Sequence, residues 1–297
     1  MYNRFEYERA QSAEEASAKL LEGEGDGETM VIAGGTALVI MLKEKILTPK
    51  RLVDISQIAD LRGVSYDDAR GLSIGSMVTH LEVENSPIVA RNYPSLREAF
   101  HTIGNVRVRT VGTIGGNLAY AEPQCNPPTI LAALGASVHL TGPNGGRVVP
   151  AEDFIKGIFE SALEPGEIIV SVTIPPPQPF SACSFFKFTQ KSETDKPTSV
   201  VAVYIRSDQE KRKALEVRLV VGAVGPRTYR CSKAEDLVKR CDDLARLDRA
   251  KVAQVASEEF EVMDDLYGPA WYKKCVTDSI IRDALKATVD SLGRESA

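Results

Sequence analysis

Two double glycines, each set behind a short apolar run, limit this chain more than any other feature. Gly34-Gly35 closes MVIAGGT (Met30–Thr36), and Gly115-Gly116 lies within TVGTIGGNL (Thr110–Leu118). Adjacent glycines let the backbone take positive φ and let another molecule approach the amides with no Cβ in the way. Successive amides then form a concave anion site. Two such loops brought together would hold the two phosphates of a dinucleotide, with Thr36, Thr113 and Asn117 adding side-chain donors. A buried diphosphate needs many hydrogen bonds, and amides supply them without a cationic side chain. A strand followed by two glycines is equally an ordinary tight turn, so both interpretations stay open here. No GxxxxGK(S/T) is present and no GxGxxG separates a strand from a helix, which disfavours a P-loop and a Rossmann NAD site.

Around these loops the patterning predicts alternating elements. Ser12-Ala13-Glu14-Glu15 reads as a capping box opening a helix through Leu21, and GEGDGE (Gly23–Glu28) as an exposed acidic turn. Met30–Thr36, the helically spaced Ala37–Lys45 and Arg51–Ser56 form a strand–helix–strand unit, which implies a parallel pair. Gly71–Ser76 is a strand, and helices begin at Thr79 and Pro94. Thr110–Pro128, glycine-rich and then proline-punctuated, is apolar enough for burial yet too irregular for a helix; Thr129–Ala136 resumes helix. A hairpin turns at Pro143–Gly146, and Glu167–Pro175 is a strand. The stiff PPPQP run (Pro175–Pro179) marks a domain boundary, giving domains 1–177 and 178–297. Beyond it come three strands of an antiparallel meander, then helices, ending in an amphipathic helix from Ala270 to Leu292 stopped by Gly293. The order is α/β followed by α+β.

Bulk properties exclude several classes. With 297 residues, a net charge of −5 and 26% charged residues, nothing resembles a nucleic-acid-binding surface. The longest apolar stretch, around Ile130–Leu134, falls far short of the roughly 20 residues of a membrane span. The N-terminus lacks the apolar core of a secretory signal. Five scattered cysteines, with no CxxC, point to a reducing, cytoplasmic setting and to no iron–sulfur cluster held by this chain. The three histidines have no metal spacing, no GxSxG elbow is present, and the adjacent acidic pairs, Asp264/Asp265 among them, read as solvated charges. No catalytic residue and no metal ligand is predicted.

The strings AGGTALV (Ala33–Val39), RLVDIS, HTIGNVRVRTVGTIGGNLAYAEPQCNPP, EDFIKG and LEPGEIIVSVTIP, in this order over nearly the whole chain, resemble the FAD-binding medium subunit of the xanthine dehydrogenase / carbon monoxide dehydrogenase family of molybdenum hydroxylases. VRxxxTIGGNLAxAxP is the specific part. The resemblance implies an α+β protein: a two-part FAD-binding domain of the p-cresol methylhydroxylase type, then a smaller C-terminal domain with a three-stranded antiparallel sheet and helices. It implies that Ala33, Gly34, Gly35, Thr36 and Ala37 line the diphosphate of FAD through their amides, with Thr113, Ile114, Gly115, Gly116 and Asn117 opposite. Tyr120, Asn126, Ile169 and Lys187 would also meet the cofactor. Asn126 replaces an aspartate of xanthine dehydrogenases, and Ile103 stands where they place a phenylalanine against the flavin. The carbon monoxide enzyme's flavin-facing tyrosine aligns near Lys196. Arg107 and Arg109 match a basic pair that serves the cofactor, a partner or only solvent.

The resemblance further implies an electron relay. Substrate is oxidised at a molybdopterin centre on a large subunit, and electrons pass through [2Fe-2S] clusters of a small subunit to FAD here and on to an external acceptor. A heterotrimer, paired into a dimer of heterotrimers, is the implied assembly. Thr36 stands where covalent-FAD oxidases carry histidine, and the cysteine-rich insertion of the benzoyl-CoA reductase branch is missing. A free-standing flavin reductase or oxidase and a cofactor-less scaffold are the alternatives.

Overall fold

The computed structural model describes residues 4–22 and 29–292. Gly23–Glu28 and Gly293 lie outside the described residues, so the acidic turn and the final helix stop expected there have no structural counterpart to compare.

The chain opens with β1 (Glu6–Arg9), α1 (Ala13–Glu22), β2 (Thr29–Ile32), α2 (Leu38–Lys43) and β3 (Arg51–Asp54). These strands form a parallel sheet in the order β1-β3-β2. The pairing of β2 with β3 across α2 is the expected strand–helix–strand unit. The edge strand β1, EYER, has no period-two apolar pattern and was not legible. Helix α1 starts as its box predicts: Ser12 Oγ accepts from the Glu15 amide at 3.1 Å. The return bond lands one residue earlier than the usual box, from the Gln11 amide to the Glu15 carboxylate at 2.7 Å.

The middle of the chain runs β4 (Val64–Asp67), β5 (Gly71–Gly75), α3 (His80–Asn85), α4 (Pro87–Asn92), α5 (Pro94–His101), α6 (Val106–Arg109), α7 (Ile114–Tyr120), α8 (Pro127–Ala133), β6 (Ser137–Gly142), β7 (Gly145–Pro150), α9 (Ala151–Phe154), β8 (Ile155–Gly157), β9 (Glu160–Ser161) and β10 (Ile168–Ile174). Its five-stranded sheet, β4-β5-β10-β6-β7, is antiparallel throughout. One expectation fails here, because the glycine-rich stretch contains α7. Two helical glycines cost about 1 kcal/mol each against alanine. That cost is offset by the Thr113 cap, whose Oγ1 accepts from the Gly116 amide at 3.1 Å, and by burial of Ile114 and Leu118. The helix stops at Ala121 in the left-handed region, φ 47°.

The last part comprises β11 (Ser181–Phe188), β12 (Ser199–Ser207), β13 (Ala214–Gly222), β14 (Tyr229–Arg230), α10 (Ser232–Lys239), α11 (Arg249–Ala256) and α12 (Ala270–Leu292). The predicted meander is present, but the sheet has four strands, not three: β14 adds to the β13 edge through Val220 and Val221. A two-residue strand leaves no periodicity to read. Alternation along β12 divides its side chains between two cores. Val200 and Ala202 pack with Leu96, Phe100 and Ile130, whereas Val201, Val203 and Ile205 pack with residues of α10, α11 and α12.

Candidate functional site

The two glycine loops are in contact. A Cβ built on Gly34 would lie 1.9 Å from the Val111 carbonyl oxygen and 3.2 Å from Gly112 Cα; one on Gly116 would lie 3.6 Å from Ala33 Cβ. Only glycine allows this backbone-to-backbone approach. The second loop is zipped to the chain after β5. His80 N donates to Gly112 O (2.9 Å), Ile114 N to Val78 O (3.0 Å) and Gly115 N to Ser76 O (2.9 Å). A cleft of about 580 Å³ adjoins the contact, lined by Ala33, Gly34, Val111 and Thr113 together with Arg62 and Glu82. That volume is in the range of small-molecule sites, roughly 300–1,000 Å³.

The loops differ in what they offer. Among the described residues, the amides of Gly34, Gly35, Thr36 and Ala37 donate to no protein acceptor. Those of Ile114, Gly115, Gly116 and Asn117 are each taken inside the protein. The second loop presents polar side chains instead. Asn117 Oδ1 is buried without a partner, as are Ser76 Oγ and His80 Nδ1 beside it, while Asn117 Nδ2 reaches Cys125 Sγ at 3.3 Å. Unsatisfied buried polar atoms are rare and call for an explanation; three lie next to one glycine loop. His80 is held neutral: burial, then the Arg109 charge, pushes its pKa down to about 4.

Three other predicted residues converge on the turn Thr102–Ile103–Gly104. Asn126, buried, donates Nδ2 to Thr102 Oγ1 (3.0 Å) and Ala99 O (3.1 Å). Lys187, on β11, donates Nζ to Thr102 O (2.6 Å) and Glu193 O (2.8 Å). It is no exposed strand lysine. Burial pushes its pKa down to about 8, against the pull of Asp195 and Glu193. Ile103 packs on the main core from this turn. Arg109, open at the sequence level, is buried and clamps the same turn, with Nη1 on Ile103 O (3.1 Å) and Gly104 O (2.9 Å) and Nε on Glu84 Oε2 (2.7 Å). Arg107 is exposed.

At the end of α7, Tyr120 is half-buried against Phe159, ring centroids 5.1 Å apart. Glu122 is buried and meets Lys196 of the β11–β12 loop at 2.5 Å. Asp265, read as solvated, accepts from the wholly buried Lys273 (2.5 Å) and from Gln124 (2.9 Å). Ile169 is buried on β10 opposite Leu140, and the next carbonyl, Val170 O, receives Ser76 N at 2.9 Å. The sequence carried no signal for Val111, Ser76 or Glu122, because their roles arise from contacts distant in the chain.

The FAD binding domain in molybdopterin dehydrogenase matches residues 3–177, and the CO dehydrogenase flavoprotein C-terminal domain matches residues 184–288. The chain belongs to this family of molybdenum hydroxylase FAD subunits. It is 30% identical over 285 residues to the glyceraldehyde dehydrogenase medium chain of Sulfolobus acidocaldarius, covering 95% of this chain and 97% of that one. It is 31% identical over 282 residues to the carbon monoxide dehydrogenase medium chain of Afipia carboxidovorans, covering 95% and 96%. The fold superposes on carbon monoxide dehydrogenase from Hydrogenophaga pseudoflava lacking its Mo-pyranopterin moiety, with a TM-score of 0.91, 30% identity and 97% and 98% coverage. Quinoline 2-oxidoreductase from Pseudomonas putida 86 matches with a TM-score of 0.89, 28% identity and 99% and 100% coverage. The FAD subunit family thus accounts for both ends of the chain, and the loops and orphaned polar groups suit the cofactor its first domain binds. Among the described residues, no helix is long and apolar enough to cross a membrane.

Proposed function

We propose that this chain is the FAD-carrying relay subunit of a heterotrimeric molybdenum hydroxylase. The division into domains at 177/178, a cytoplasmic location and a dimer of heterotrimers belong to the same proposal. The observation that carries it is the contact of the two glycine loops, with four successive amides of the first left unpaired. Those amides, Gly34 to Ala37, would bind one side of the diphosphate, beside Ala33. Thr113 and Asn117 would bind the other, with Ile114, Gly115 and Gly116 shaping the wall. Tyr120, Ile103, Asn126, Ile169 and Lys187 would surround the remainder. Bound FAD supplies the redox chemistry, taking and passing electrons.

The chain's own work is to bind and orient. The Thr102–Gly104 turn is held by Arg109, Lys187 and Asn126, so Ile103 is fixed in place without an aromatic ring. Burial makes the Lys187 ammonium more acidic than an ordinary lysine, with a pKa pushed down to about 8. Molybdopterin and the [2Fe-2S] clusters would reside on large and small partner subunits.

Purification tests this. A yellow chain absorbing near ~450 nm, a general property of flavins, that co-purifies with two further chains is expected. A colourless chain points to a scaffold, and a lone chain with full turnover points to a free-standing flavin reductase; either result overturns the proposal.

A further inference from the structure

We propose that Glu122 and Lys196 are a positioning pair that straps the β11–β12 loop over the Tyr120–Asn117 side of the cofactor site. This rests on the FAD assignment above. Glu122 comes just after the Ala121 cap of α7, and its side chain is 8% exposed. Lys196 comes from the β11–β12 connection, a loop exposed from Gln190 through Lys196, and its Nζ sits 2.5 Å from Glu122 Oε1. A buried carboxylate is thus met by an ammonium delivered from an exposed loop. Burial works to lower the Lys196 pKa, but the hydrogen bond and charge of Glu122, with smaller help from Tyr267 and Tyr120, leave it raised above the usual lysine value.

Gln190 Nε2 ties the start of the loop to Tyr267 O (2.8 Å), and further ties lie at its middle and its end. Glu193 O accepts from Lys187 Nζ, which also holds Thr102, and Thr198 Oγ1 donates to Tyr267 O (3.0 Å). Lys196 supplies the charged tie across to the glycine-loop side. Beneath that tie lie Tyr120, whose hydroxyl is pushed up by burial and then by Glu122, and Cys125, hydrogen-bonded to Asn117. Asn117 in turn carries the unpartnered Oδ1. A loop that loosens here uncovers the wall beside the second glycine pair.

The test uses the full complex with FAD bound, comparing Glu122→Gln, Lys196→Met, both together, and the exchange Glu122→Lys with Lys196→Glu. Two rates are read: tryptic cleavage after Lys191 within the loop, scored by mass spectrometry, and FAD release on dilution, followed by flavin fluorescence. Each single change is expected to raise both rates about tenfold, the worth of one charge-assisted hydrogen bond. The double change should be no faster than either single one, and the exchange should recover part of the loss. Single variants within about twofold of the parent, or factors that multiply in the double variant as independent sites do, would overturn the pair. The cleavage measurement is repeated on complex stripped of FAD. Loosened loops in a chain that never holds flavin would sink the FAD assignment and leave the strap standing.

Discussion

Replacing Gly34 by alanine should damage cofactor binding far more than the same change at Gly35. The new methyl at 34 meets backbone, 1.9 Å from Val111 O and 2.8 Å from Val111 C. The loops must separate by about 1.5 Å before that first contact reaches 3.4 Å, where ordinary packing begins. Amide-to-phosphate bonds near ~2.9 Å do not survive such a displacement. Losing two bonds to a charged group, at roughly 1.5–3 kcal/mol each, removes about 3–6 kcal/mol, so the FAD Kd rises by about 10²- to 10⁴-fold. At Gly35 the methyl meets side chains and no backbone, Val39 Cγ2 at 3.2 Å and Ile32 Cδ1 at 3.4 Å, and the strain comes from φ 69°. Holding alanine there costs about 1–2 kcal/mol of stability with the loop contact intact, and a Kd change below about tenfold is expected. Titration of FAD into stripped protein, read by flavin fluorescence quenching, with Tm from circular dichroism, separates the two. If Gly34→Ala binds FAD within about tenfold of the parent, or if Gly35→Ala binds more weakly than Gly34→Ala, the contact is not what shapes the site.

Further expectations follow from the surrounding packing. Arg109→Met leaves the Glu84 carboxylate, 10% exposed, with only His101 beside it; urea unfolding should show a loss of about 3 kcal/mol, against about 0.5 or less for the exposed Arg107→Met. His80 binds a proton only near pH 4 when folded, while the unfolded chain binds one from 6.5 downward. Acid therefore favours unfolding, and stability should fall by about 1.4 kcal/mol per pH unit across that window. His80→Phe should flatten this slope relative to the parent; an unchanged slope assigns it to another group. Gly115→Val drives a side chain into Ser76, whose Cβ lies 2.6 Å from the position a Cβ would take. The purified complex should then lose its flavin absorption while retaining dye-linked molybdenum activity, and full flavin content would contradict the packing.

Local features were legible where local physics decides them. The Ser12 and Thr79 helix starts, the β2–α2–β3 unit and the helix Ala270–Leu292 follow from caps and periodicity. The glycine pairs announced close approach, but not that Gly34 would meet Val111 or that Ile114, Gly115, Gly116 and Asn117 would spend their amides internally. Helix α7 was missed because propensity argues against it and the deciding burial is tertiary. Asp265 looked like a solvent-facing charge and the role of Arg109 stayed open because their partners, Lys273 and Ile103 O, are identified only by the helix and turn that carry them.

The division of β12 between two interiors has a wider consequence. Val200 and Ala202 face one core and Val201, Val203 and Ile205 the other, so this strand has no side turned to water. A fragment ending at the PPPQP run would bare the faces of α5 and α8 that β11, β12 and β13 cover. The seam visible in the covalent chain is therefore a poor place to cut, and melting on either side of it should spread to its neighbour as one event.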